Sequence, residues 1–249
     1  MLESFKRFLS GQGIGPNWKD VSEWAKQRGL DFRRAREDEG FVVDGALDGK
    51  PWRMEWGPPQ RAYIEGRELR IRMELKLPSD MQMLLLSRPL MEQLERQTFE
   101  QFTEGTQTQI DTSTPEEMRW LVMYPKVNMN GFRVLRQHFG AVAGHSATGL
   151  AWIEGPLGQQ LERAMGNLLQ GDPPFVLMTL RGRTYLRVQL IDPDVKSLAT
   201  AIGLFEAAVT QAVMLATVVG SGSQHGADWP VSDSTAWQSL GPEEPPSRG

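Results

Sequence analysis

The sequence predicts an α+β fold: an antiparallel β-meander packed against several helices and closed by a long C-terminal helix. Three observations carry this. First, "GRELRIRMELKL" at 66–77 alternates charged and apolar residues, which is the period of a half-buried strand. Second, extended runs are joined by tight-turn residues, Asp48-Gly49 and Arg181-Gly182-Arg183. Turns that short connect antiparallel neighbours, whereas a parallel crossover needs a dozen or more residues. Third, from residue 88 onward several segments change to a helical period. The last of them, "LATAIGLFEAAVTQAVMLATVV" at 198–219, is the longest.

The elements follow in order. "PNWKDVSEWAKQRG" at 16–29 reads as a helix, with Asn17 as cap, Trp18, Val21, Trp24 and Ala25 on one stripe, and Gly29 as stop. "DFRRAREDEG" at 31–40 reads as a charged connector. "FVVDGALDGKPWRMEW" at 41–56 is a hairpin in which Trp52, Met54 and Trp56 share one side and Arg53 and Glu55 the other. Pro58-Pro59 ends it, and a strand follows from Arg67 to Leu77. "MQMLLLS" at 81–87 lacks alternation and reads as a more buried strand.

Next come a helix at 88–102, with Leu90, Leu94, Phe99 and Phe102 inward, and a short strand at 106–112. A helix starts at "STPEEMRWL", with Ser113 or Thr114 as cap, Pro115 at the first position, and Glu116 and Glu117 explained by the helix dipole. "GFRVLRQHFG" at 131–140 is read as a helix closed by Gly140, residues 141–149 as a loop, and "LAWIEG" at 150–155 as a strand. "PLGQQLERAMGNLLQG" is a helix with Leu157, Leu161, Ala164, Met165 and Leu168 on one face. "PPFVLMTLRGRTYLRVQLI" is a hairpin.

The divisions expected are a helical segment at 1–30, a single α+β domain at 31–219, and a disordered Gly/Ser/Pro-rich tail at 220–249 that carries Trp229 and Trp237. "PLMEQLER" at 89–96 and "PLGQQLER" at 156–163 match at six of eight positions. This suggests two related halves, about 41–140 and 148–219.

Composition narrows the function. The 249 residues contain no cysteine, so disulfides, thiolate metal sites and cysteine nucleophiles are excluded. A cysteine-free chain also fits the cytoplasm. The net charge of −4 argues against a general nucleic-acid partner. "MLESFKRFLSGQG" is not a secretory signal, because Lys6 and Arg7 interrupt its apolar set. It reads as a short amphipathic helix, and any membrane contact falls to residues 1–10. The segment 198–219 is long enough to span a bilayer. However, Thr200, Gly203, Glu206, Thr210 and Thr217 recur at helical spacing, which makes it an amphipathic buried helix.

No cofactor or metal signature emerges. "GQGIGPNW" lacks the strand before it and the spacing of a phosphate-binding loop. His138, His145 and His225 have no ligand partners at metal spacing, and Glu37, Asp38 and Glu39 lack the oxygen pattern of a calcium loop. Glu206 is expected to face solvent; only if its face of the last helix is buried would a lone carboxyl there have a raised pKa.

The face carrying Glu68, Arg70, Arg72, Glu74 and Lys76 has mixed signs, the pattern of cross-strand ion pairing on a wet sheet. Trp52, Arg53, Trp56, Arg61, Tyr63, Arg70 and Arg72 lie within about twenty residues. Arginine with Trp or Tyr is the composition of interface hot spots and anion pockets. Neighbouring strands in register would gather them on one surface.

The order of meander, helix, strand and terminal helices, with "DG" turns and the "TPEEMRWL" helix start, resembles a family of uncharacterised bacterial proteins of unknown function. The resemblance spans residues 40–215 in outline. It implies an intact α+β domain and assigns no activity or site residue. The residues therefore point first to a non-enzymatic module that binds another protein. The alternative is a small hydrolase using scattered carboxylates and histidine.

Overall fold

The computed structural model describes residues 18–35, 40–103 and 114–222. Eight strands form one antiparallel sheet in the order β1-β2-β3-β4-β8-β7-β5-β6. They are β1 (Asp31–Arg34), β2 (Phe41–Leu47), β3 (Lys50–Gly57), β4 (Glu68–Glu74), β5 (Met83–Ser87), β6 (Phe139–Ala143), β7 (Phe175–Leu180) and β8 (Arg183–Gln189). Seven helices accompany them among the described residues: α1 (Lys19–Gln27), α2 (Arg88–Thr103), α3 (Glu116–Met123), α4 (Leu135–His138), α5 (Ser146–Ile153), α6 (Pro156–Met165) and α7 (Val195–Gly222).

Both expected hairpins form. Leu47 pairs with Lys50 across Asp48 and Gly49, whose φ angles of 50° and 75° give the left-handed turn that matches strand twist. Arg181 and Gly182, at 49° and 72°, do the same for β7 and β8. A side chain at Gly182 would strike the Leu75 carbonyl, 2.6 Å from an added Cβ. The β7–β8 hairpin inserts between β4 and β5, so β4 pairs with β8, and β5 with β7. The Pro78–Asp80 turn thus leads to a strand three places away, beyond β8 and β7, rather than next door.

The two faces of the sheet differ. On one, Phe41, Val43, Trp52, Met54, Trp56, Leu69, Ile71, Leu177 and Leu186 meet α1, α5, α6 and α7 in the main core. Trp18 packs edge-on to Phe41 and Trp56, at 5.1 and 5.0 Å between centroids, which docks the start of α1. On the other face, Leu84, Leu86, Val142, Val176 and Met178 meet Leu90, Met91 and Leu94 of α2 and Met118 and Trp120 of α3. This second core roofs β5, β6 and β7 and reaches Tyr185 of β8 at its margin. β5, β6 and β7 are buried on both sides, which explains their unalternated apolar sequence. β3, β4 and β8 alternate because helices cover one of their faces.

Several expected elements are corrected. Residues 31–34 of the presumed connector form the edge strand β1, since Phe32 packs on the core and lies 5.7 Å from Phe41 while Arg33 pairs with Asp31 and Asp44. The helix expected at 131–140 is confined to Leu135–His138, and Gly140 lies inside β6 beneath Met91. The expected loop 141–149 is the rest of β6 and the start of α5. The expected strand 150–155 is the end of α5, which Gly155 terminates with φ 74°. A short apolar run has no period of its own to separate helix from strand. The first "PLxxQLER" octet follows strand β5, whereas the second follows helix α5. Phe99, expected inward, is exposed. Residues 1–10, Asn17, Glu37–Glu39, the strand expected at 106–112, Ser113, the Phe102 side chain and the tail beyond Gly222 lie outside the described residues.

The last helix is the one described helix long and apolar enough to cross a membrane. Its first five turns instead seat Leu198, Ala201, Ile202, Leu204, Phe205, Ala208, Val209 and Ala212 in the core. Glu206 is half-buried on this helix. Burial raises its pKa, and the charge of Arg28 offsets part of the rise. The same carboxyl is more acidic in the unfolded chain, so at neutral pH its ionisation favours unfolding. Below the usual carboxylate range it is protonated in both states and the penalty vanishes. Glu206→Gln is therefore expected to raise unfolding stability at pH 7, by less than about 1 kcal/mol after solvent screening. Paired urea melts at pH 7 and pH 3 check this, because the gain must disappear at the lower pH.

Candidate functional site

The half of the outer face that α2 and α3 leave unroofed is built from β2, β3, β4 and β8. Strand alternation sends the even-numbered residues of β4 to this side, and the register aligns them with neighbours of the same orientation. One cross-strand row reads Glu55, Arg70, Arg187, and the next reads Asp44, Arg53, Arg72, Tyr185. Arg53 therefore faces Arg72 directly, and Arg70 faces Arg187. Like charges in directly opposed positions are unfavourable unless anions intervene.

Protein carboxylates supply most of the compensation. Glu68 has no exposed surface, and its Oε1 accepts from Arg187 Nη1 at 2.5 Å. Its Oε2 accepts from the Gln60 backbone N–H at 2.6 Å and from Arg70 Nη1 at 3.3 Å. Arg70 also donates to the Pro58 carbonyl at 2.9 Å. Asp44 takes Arg53 Nε at 2.7 Å and also bonds Arg33. Burial acts to raise the Asp44 pKa, but the Arg53 and Arg33 pairs outweigh it and hold the carboxyl below its ordinary value. Among the described residues Arg72 is engaged by Glu55 alone, at 3.7 Å, while Glu55 also faces Arg70 at 3.4 Å. Arg183 pairs with Glu74 at 2.8 Å. A hollow of about 370 Å³ is lined by Arg53, Arg72, Arg183 and Tyr185, together with the carboxylates Asp44 and Glu74 and the side chains of Trp52 and Met73.

A second ionic cluster closes one end of this face. The segment 58–67 folds over the sheet, and Tyr63 and Ile64 enter the second core. Glu117 of α3 is 1% exposed; its Oε1 accepts from Arg61 Nε at 2.6 Å and from the Tyr63 hydroxyl. Burial, then the Glu117 charge, push the Tyr63 phenol far above its ordinary value. Glu117 is thus a buried ion-pair acceptor as well as a first-turn acid, which corrects its reading as a dipole residue.

The surface expected from sequence is divided by the sheet. Arg53, Arg70 and Arg72 share the open outer face. Trp52 and Trp56 lie on the opposite, core face, at 3% and 6% exposure, and Trp56 Nε1 donates to the Leu190 carbonyl at 2.8 Å. Arginines do meet tryptophans elsewhere: Arg67 lies 5.2 Å from the Trp56 ring and Arg28 5.5 Å from the Trp24 ring. Arg61 and Tyr63 are occupied by Glu117. The residues missed were Asp44, Arg183, Tyr185 and Arg187. The alternation of Arg183, Tyr185 and Arg187 in "RTYLRVQ" is visible, but only the β4–β8 pairing brings them beside Arg70 and Arg72, while Asp44 joins the row through the β2–β3 register. Of the histidines, His138 Nδ1 lies 2.8 Å from Asp172 Oδ1, and His145 is exposed just before α5. Among the described residues no group of three or more His, Asp or Glu side chains is placed to hold a metal.

No family model matches the chain, and no curated protein matches it. The solved structure of the mycobacterial trehalose monomycolate transport factor A is similar to 79% of this chain and 92% of its own. The identity is 10% and the TM-score 0.42, a likeness that carries no argument about fold or function.

Proposed function

We propose that this protein is a non-enzymatic module that docks another protein on the open outer face of β2, β3, β4 and β8. One observation carries the reading. Among the described residues, a single sheet is roofed by α2 and α3 over β5, β6 and β7, whereas neither helix covers the strands that carry Arg53, Arg72 and Arg183, with Arg70 and Arg187 less exposed beside them. Arginine at the centre of a partly sunken surface is a preferred anchor of protein interfaces. The acidic balance of the whole chain, −4, fits a protein partner better than a nucleic acid. The absence of cysteine fits action in the cytoplasm.

Affinity capture with wild-type protein and with Arg72→Glu as baits tests the reading. Arg72 is 59% exposed and its one pair is 3.7 Å long, so the variant is expected to fold. At least one protein is expected to be held by the wild type and lost from Arg72→Glu, with identical circular dichroism spectra for the two baits. The same proteins on both would overturn the reading.

A further inference from the structure

Resting on that docking surface, we infer that the segment it receives is acidic and extended, with one carboxylate seated on Arg53 and Arg72 and the next same-side carboxylate on Arg183. The charge accounting across the face is uneven. Arg70 and Arg187 share the fully buried Glu68, and Arg33 and Arg53 share Asp44. The row Asp44–Arg53–Arg72–Tyr185 therefore contains two directly opposed guanidinium groups and one carboxylate, and that carboxylate is held by Arg53 and Arg33. Arg72 is left with a long contact to Glu55, which Arg70 also draws on. An anion placed over Arg53 and Arg72 supplies the missing charge between like neighbours and can be gripped by planar two-pronged donors.

The hollow of about 370 Å³ lies at this point, with Arg183 along its rim. Arg183 stands opposite Glu74, one same-face step along the sheet from the Arg72–Tyr185 pair. That step is about 7 Å, the spacing of residues i and i+2 in an extended chain. A peptide laid along β4 and β8 with acidic residues at alternate positions matches it, whereas a helix presents its acids at three- and four-residue intervals. Such contacts are partly exposed, so they fade with salt.

Fluorescence anisotropy tests this with a labelled peptide Gly-Glu-Val-Glu-Val-Glu-Gly, its Gln counterpart, and inorganic phosphate as competitor, on the full chain. The wild type is expected to bind the Glu peptide at least tenfold more tightly than the Gln peptide, with affinity falling as salt rises. Arg72→Ala and Arg183→Ala are each expected to weaken the Glu peptide by about tenfold, and Arg72→Lys to recover part of the loss. Equal binding of Glu and Gln peptides, or unchanged binding by both alanine variants, overturns the inference. Binding of inorganic phosphate in a calorimetric titration, with no binding of the Glu peptide, also overturns it and assigns the hollow to a small anion. If capture of a partner still depends on Arg72 while the Glu peptide fails to bind, the docking surface stands and the acidic segment falls.

Discussion

Glu68→Ala is expected to lower the unfolding free energy by about 3 kcal/mol, because removing one member of a buried ion-pair set leaves its partners uncompensated. Glu68 is fully buried, and the side chains of Arg70 and Arg187 are 16% and 14% exposed. Those two arginines sit directly opposite one another in the β4–β8 register. Without the carboxylate they repel across a strand pair, and the Gln60 N–H loses its acceptor. Glu68→Gln keeps an acceptor in place while deleting the charge, so a smaller loss is expected, about 1–2 kcal/mol. Urea unfolding of the three proteins measures both. A loss below about 1 kcal/mol for alanine would mean that water replaces the carboxylate and that the register of β4 on β8 does not depend on it. The consequence extends to the docking face, since Glu68 is what holds the opposed Arg70 and Arg187 beside the row of Arg53 and Arg72.

Trp152→Ala is expected to cost more, about 3–5 kcal/mol, the range for emptying a large aromatic site in a packed core. Trp152 is 1% exposed and is the largest of the fully buried side chains. Its Nε1 donates to the Ala208 carbonyl at 2.9 Å, which ties α5 to the middle of α7. Trp152→Phe preserves most of the buried area and loses the bond, so about 1–2 kcal/mol is expected. The pair distinguishes packing from hydrogen bonding. It also tests whether α7 is held by the fold: a helix that left the core for a bilayer would unfold with the same midpoint whether or not Trp152 were present.

Much of the architecture was legible in the residues. The alternation at 66–77, the turns at Asp48-Gly49 and Arg181-Gly182, and the apolar stripe of the last helix are local signals, and each reports an environment that is half water and half core. The strands buried on both faces were harder. "MLLLS" kept its strand identity because it is short and bounded by turn residues, whereas "FGAVA" and "LAWI" were exchanged between loop, helix and strand. Small apolar residues carry no period when every side is covered, and such burial is decided by α2, α3 and α7 from distant parts of the chain. The candidate site was half visible for a related reason. The charges of β4 were read as a wet face, and they are. That Trp52 and Trp56 lie on the other face followed from their odd–even relation to Arg53, but the partners of that face come from β8, more than a hundred residues away.

The sequence by itself determined the fold class, the two tight hairpins, and which side of each alternating strand meets water, because these depend on φ/ψ preferences and on a two-residue period carried by contiguous residues. The tertiary structure alone decided that the β7–β8 hairpin lies between β4 and β5, that α2 and α3 roof one half of the outer face and not the other, and that Arg53, Arg72 and Arg183 stand around one hollow. Those are outcomes of long-range pairing, in which the burial of apolar faces against one another selects a strand order that no local pattern encodes.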